Sequence, residues 1–193
     1  MTRGKRGGKG GARKRSVNPA PIAPAPGSPV LAMAILAAGA VAMIAGASTY
    51  SWWRFSASEG LGLREIHVCA SATCTPYDYN AAGVDHGTWV TLGLVACYGA
   101  FVVTAVGRVA VYARWQKLVV ARNAARLALV LAVALLGVAI AFVLARPEEL
   151  SLAEGEFQRA RFYMRATSLG WSAIAYMVGA IAVAGSSLQL ARR

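Results

Sequence analysis

Residues 60–78, GLGLREIHVCASATCTPYD, hold two thiols, Cys69 and Cys74, beside the imidazole of His67, and Asp78, Asp85 and His86 follow closely. Such a set can ligate a metal, exchange between thiol and disulfide, or close a loop with a disulfide. A structural zinc needs four ligands, and only His67 and His86 are near enough in sequence to complete the set; no second short Cys pair accompanies them. Redox exchange favours two intervening residues and a thioredoxin-like context, and the four residues Ala70–Thr73 between the thiols provide neither. The disulfide reading fits best. Cys97 lies in an apolar run and reads as a small packing residue. The chain's two histidines both fall in this region, so no Ser-His-Asp or Cys-His arrangement is in reach, and Asp78, Asp85 and His86 read as solvated loop polarity. No catalytic, cofactor or metal site is expected, and the protein is not expected to be an enzyme.

The thiols need an element to position them. Leu61, Leu63, Glu65, His67 and Cys69 alternate with Gly62, Arg64, Ile66, Val68 and Ala70, and this period of two predicts a strand. The following TCTPYDY predicts a second strand, which Pro76 confines to a sheet edge. A hairpin with a four-residue loop sets Cys69 directly opposite Cys74, at the Cα separation of about 4.5–5.5 Å that a disulfide spans.

The rest of the chain speaks of lipid. Its hydrophobic share is 57% and its mean hydropathy +0.50, more apolar surface than a soluble 193-residue fold can hide. Four runs without an ionisable side chain, at about 29–49, 87–107, 127–145 and 168–190, each match a hydrocarbon core of about 30 Å and are too long for barrel strands. Fourteen of the twenty basic residues lie in three segments. They are the tail (Arg3, Lys5, Arg6, Lys9, Arg13, Lys14, Arg15), the second connection (Arg108, Arg114, Lys117, Arg122, Arg126) and the last two residues. All eight acids lie in the other two connections. The positive-inside rule therefore predicts a multi-pass protein of the cell (plasma or inner) membrane with both termini cytoplasmic and loops 50–86 and 146–167 outside. Outside is also where disulfides persist. The expected fold is an all-α four-helix transmembrane bundle over 29–190, carrying a small disulfide-linked extracytoplasmic β-hairpin, with a cytoplasmic end at 191–193. A basic leader, an apolar run and AGAS at 45–48 also have the form of a cleaved signal peptide, although the run is longer than a usual signal core; cleavage leaves three spans and the same outward loop.

Residues 1–28 lack the apolar side chains for a core and are expected to be a disordered tail whose Pro-Ala half is a spacer. Its basic half reads as an anchor on anionic headgroups rather than an RNA-binding arm, and no specific nucleic acid is expected. The basic, partly apolar stretch 108–126 is expected to extend span two and then lie along the same headgroups, or to dock a protein. Trp89 and Trp171 suit an outer aromatic belt. Pro147 with Glu148 and Glu149 reads as a helix start, with Glu154 or Glu156 pairing Arg159 or Arg161. Small residues four apart, Ala42 and Gly46, Ala96 and Ala100, Ala128 and Ala132, and Ala175 and Gly179, mark faces where helices approach closely, within the bundle or against a partner. Spans without ionisable groups are poorly suited to ion-coupled transport.

Four spans with both ends cytoplasmic, an aromatic pair soon after span one, then Gly-Leu and two cysteines, resemble the claudin and peripheral-myelin-protein superfamily. Trp52 or Trp53 matches that family's early Trp, Gly60-Leu61 or Gly62-Leu63 its Gly-Leu, and Cys69 and Cys74 its cysteine pair on neighbouring strands. The third residue of the family's Gly-Leu-Trp is Gly62 or Arg64 here, and the family's first hairpin is expected to be shortened or missing. The resemblance implies a structural or adhesion-type accessory protein that engages a protein partner, or another copy of itself, through its first outer loop. An oligomeric channel or small-solute permeation subunit is the alternative.

Overall fold

The computed structural model describes residues 29–56, 59–70, 73–79, 87–151, 161–163 and 167–192. The seven basic tail residues, Asp85, His86, Glu154, Glu156 and Arg159, and with them the expected pairing of Glu154 or Glu156 with Arg159 or Arg161, lie outside them.

Four helices dominate: α1 Pro29–Ala47, α2 Gly87–Ala113, α3 Leu118–Leu144 and α4 Trp171–Arg192. Each is long and apolar enough to cross a membrane. At 1.5 Å per residue, the 19 residues of α1 reach about 28 Å and the 27 of α2 about 40 Å. Buried positions recur at alternating steps of four and three, as in Ala121, Ala125, Ala128, Ala132, Leu135, Ala139 and Phe142 of α3. The same rhythm runs through Ala32, Leu36, Gly39, Met43 and Gly46 of α1. That is the heptad seam of helices packed side by side, with small residues setting a close approach. Of the expected small-residue positions, Gly46, Ala96, Ala100, Ala128, Ala132 and Gly179 are buried within the bundle.

The closest approach is between α1 and α4. A Cβ on Gly39 would stand 2.8 Å from the Gly179 carbonyl oxygen, and one on Gly179 would stand 2.6 Å from that of Gly39. Two turns further on, a Cβ on Gly46 would meet the Ser172 carbonyl oxygen at 2.5 Å. Any larger residue there would push the two backbones apart.

At one end of the bundle lies a five-stranded antiparallel sheet of β1 Trp53–Arg54, β2 Gly60–Leu61, β3 Glu65–Ala70, β4 Thr73–Asp78 and β7 Ser168–Leu169, in the order β4-β3-β2-β1-β7. The expected single hairpin is thus part of a larger sheet. Strand β1 pairs β7, so residues just after α1 are joined to residues just before α4, and the Gly170 N–H donates to the Trp52 carbonyl at 2.9 Å. The first hairpin, β1 with β2, is present and short.

Several expectations need correction. The alternating run 61–70 is two strands, because the chain turns at Gly62–Arg64, where the Gly62 N–H donates to the Glu65 carbonyl at 2.8 Å. Burial therefore changes parity, from Leu61 and Leu63 to Ile66 and Val68. The ladder runs one pair past the cysteines, to Ala70 opposite Thr73, so the hairpin connection is two residues rather than four. The stretch 108–126 does extend α2, but its remainder begins α3, nine residues ahead of the expected 127, after the turn Arg114–Gln116. After Pro147 the chain forms β5 Glu149–Ser151, paired with β6 Arg161–Tyr163, rather than a helix; a strand partner overrides the local start signal. Ser168 and Leu169, expected inside span four, belong to the sheet.

Candidate functional site

The sheet is fixed to the bundle by aromatic side chains from five different segments. Trp52 is fully buried, and its Nε1–H donates to the Gly46 carbonyl at 2.7 Å, pairing a helix-end oxygen left without an intrahelical donor. Its ring meets Phe142 of α3 and Tyr176 of α4 edge-on, at centroid distances of 5.5 and 5.4 Å. Trp89 of α2 stacks on Phe142 at 4.4 Å and donates its Nε1–H to the Phe142 carbonyl at 2.9 Å. Tyr176 donates to the Ala96 carbonyl at 2.7 Å, and Tyr79 to that of Gly62 at 2.7 Å. Every indole or phenol in this plug has an apolar body and a satisfied polar tip. Burial, with Glu65 and Asp78 adding in the same direction, holds the Tyr79 phenol well above its ordinary pKa.

The two tryptophans matched to the family motif thus separate. Trp52 points into the bundle; Trp53 lies in β1 opposite Leu61, with the Arg146 guanidinium over its ring at 4.8 Å. The Trp53 Nε1 is buried without a hydrogen-bond partner among the described residues. Gly60 packs on carbonyl oxygens of Tyr50 and Trp53, at 2.6 and 2.7 Å from where a Cβ would sit, and Gly62 on that of Thr49 at 2.8 Å. Leu61 and Leu63 are fully buried. A Cβ on Gly93 would run into the Leu63 carbonyl, so the turn of the sheet rests directly on α2. Trp89 is turned inward rather than standing in a belt, while Trp171 is exposed.

The far face of the sheet is polar. His67 stacks on Tyr50 at 3.9 Å, its Nε2 is 3.8 Å from the Glu65 carboxylate, and Arg64 lies 3.7 Å from the same carboxylate. The Cys69 N–H donates to the Glu59 carboxylate at 3.1 Å. Cys69 and Cys74 stand opposite each other in the β3–β4 register, on the hairpin farthest from β7. Strand β4 is the sheet edge, where Thr75, Pro76 and Asp78 are exposed. Cys97 is a buried free thiol in α2, 3.8 Å from the Ala47 carbonyl.

The opposite end of the bundle is basic. Arg108, Arg114, Lys117, Arg122 and Arg126 lie on the end of α2, the turn and the start of α3, next to the highly exposed Tyr112 and Trp115. Between α1 and α2 a cavity of about 290 Å³ is lined by Leu36, Ala40, Val41, Thr104, Arg108 and Tyr112, among others.

Sequence reasoning missed Phe142, Tyr79 and Tyr176 as anchors of the sheet and Arg146 as the cover of Trp53. Only their partners in space mark them out. Comparison with family models, curated proteins and solved structures found no match to this chain.

Proposed function

We propose that the chain is a multi-pass protein of the cell membrane, similar in architecture to the claudin and peripheral-myelin-protein superfamily, and that it works without catalysis, by presenting its sheet to a protein partner or to a neighbouring copy. The observation that carries this reading is the anchoring of the sheet: Trp52, hydrogen-bonded to Gly46 and wedged against Phe142 and Tyr176, ties it to the bundle. A surface held this firmly loses little conformational freedom on binding, so more of the contact energy appears as affinity. The family resemblance is supported by the pairing of Trp53 with Leu61 and by the cysteines on neighbouring strands.

The sheet faces outward and both termini are cytoplasmic, a reading supported by the bias of basic residues. Cys69 and Cys74 form a disulfide in that oxidising compartment, a pairing supported by their opposed register. The disulfide limits the freedom of the outermost hairpin. On the inner side the basic tail and the α2–α3 end rest on anionic headgroups.

The test is quantitative affinity capture from native membranes, read by mass spectrometry, for the unaltered chain, Cys69→Ser, and a chain whose β3–β4 hairpin is replaced by a short Gly-Ser turn. Partners are expected to fall away in the order of these changes. Capture of every partner by all three chains would refute presentation. Conductance of the purified protein in liposomes would replace it with an oligomeric channel.

A further inference from the structure

The cavity between α1 and α2 lies toward the basic end of the bundle, and its chemistry is that of an amphiphile. Leu36, Ala37, Ala40 and Val41 of α1 face Thr104, Arg108, Val111 and Tyr112 of α2 across about 290 Å³. Gly107 lets the Leu36 side chain approach to 2.8 Å of where a Cβ would sit, so the helices touch there and leave the groove beside that contact. The lining is hydrocarbon except for the Thr104 hydroxyl, which already donates to the Ala100 carbonyl at 2.8 Å, and the groups of Arg108 and Tyr112. Arg108 lies five residues before the end of α2, about 7.5 Å by helix rise, where a long side chain reaches the headgroup level while its stem stays against apolar surface.

Arg108 is exposed and makes no ion pair or hydrogen bond among the described residues. No acidic side chain lies near it in sequence. All eight acids fall, by sequence, in the two connections at the sheet-bearing end, and the tail preceding α1 carries seven basic residues and no acid. Both the tail and the same end of a second copy would therefore repel Arg108. In a bilayer, the anions at this level are lipid phosphates.

The geometry points to a site for one anionic phospholipid, with an acyl chain in the groove between α1 and α2 and its phosphate held by the Arg108 guanidinium and the Tyr112 hydroxyl. This lipid fills the groove beside the Gly107–Leu36 contact and covers the apolar side of α1. The site is independent of what the sheet engages.

The experiment uses the full chain purified in a neutral detergent, titrated with dioleoyl phosphatidylglycerol and read by native mass spectrometry and thermal unfolding. Two further probes are dioleoyl phosphatidylcholine, which has the same chains and no net charge, and soluble glycerol phosphate, which lacks the chains. Phosphatidylglycerol is expected to bind and raise the unfolding temperature, with both other probes weaker by about tenfold or more, the scale of one charge-assisted contact. Arg108→Gln and the groove-filling Ala37→Phe are each expected to weaken it by a similar factor, while Arg108→Lys retains most of it and Cys69→Ser changes nothing. Equal binding of all three probes, or Arg108→Gln and Ala37→Phe both binding phosphatidylglycerol within twofold of the unaltered chain, would overturn the site. So would a dimer in detergent that protects the groove from lipid.

Discussion

The Trp52 indole donates its N–H to the carbonyl of Gly46 across 2.7 Å, so the first residues of the sheet segment close the end of the helix that delivers them. Trp53, the next residue, has a buried N–H with no acceptor among the described residues. Substituting phenylalanine for each therefore separates a hydrogen bond from a ring. Trp52→Phe should cost about 1–3 kcal/mol, because it leaves the Gly46 carbonyl with only the long 3.5 Å bond from the Thr49 hydroxyl and shrinks the ring between Phe142 and Tyr176. Trp53→Phe loses no such bond and keeps a ring beneath Arg146, so it should cost less. Unfolding temperatures in detergent decide the order, and a larger loss for Trp53→Phe would contradict the anchor.

Glycines in the bundle are not equivalent. Gly39→Ala and Gly179→Ala each drive a methyl into the opposing backbone, and both should destabilise by about 1–3 kcal/mol, the cost of overpacking a filled site. At Gly137 and Gly185 an added Cβ meets nothing within 4 Å, so alanine there should be neutral or slightly stabilising through helix propensity. Denaturant titration in mixed micelles measures the four variants side by side. Equal losses at all four would mean that α1 and α4 do not touch at Gly39.

Tyr79 gives the fold an alkaline limit. Its phenol is buried and its pKa is raised in the folded state, chiefly by desolvation. The folded state therefore holds the proton more tightly than the unfolded chain. The associated stability is complete below the unfolded value near 10 and is lost progressively as pH rises above it. Melting temperatures in detergent should be flat with respect to this group from pH 7 to 9 and fall beyond 10. Tyr79→Phe should start lower, for want of the bond to Gly62, and show a shallower alkaline fall.

The proposed disulfide has a stoichiometric signature. Denatured without reductant, the chain should take up one maleimide, at Cys97; after reduction it should take up three. Three before reduction would remove the staple from the account.

Orientation can be read from two exposed positions. Ser168→Cys, in β7, should react with an impermeant maleimide on intact cells. Trp115→Cys, at the 76% exposed turn between α2 and α3, should react only after permeabilisation. The reverse pattern would invert the topology and place the cysteine pair in a reducing compartment.

The four helices were legible because a span must be long and free of charge, and both properties are local. The hairpin register was legible because Cys69 and Cys74 flank a turn. What escaped reading depended on partners in space. Ser168–Leu169 is two residues of strand inside an apolar run, recognisable only from β1 beside it. The turn at Gly62–Arg64, by contrast, is marked in the sequence by the apolar positions changing parity, from Leu61 and Leu63 to Ile66 and Val68, and a period of two read straight through it overlooks that switch. Trp89 lies at the start of an apolar run, but that position does not say which way a ring faces; Phe142 does. The basic side chains from Arg114 to Arg126 hid the start of α3, since charge near a membrane surface looks the same on a helix as on a loop.

The pairing of β1 with β7 has a consequence for biogenesis. A ribosome has emitted Trp53 more than a hundred residues before it reaches Leu169, so a nascent chain carries an open backbone edge on β1 until β7 is made. Chains stalled or truncated before Ser168 would keep that edge available to any passing strand.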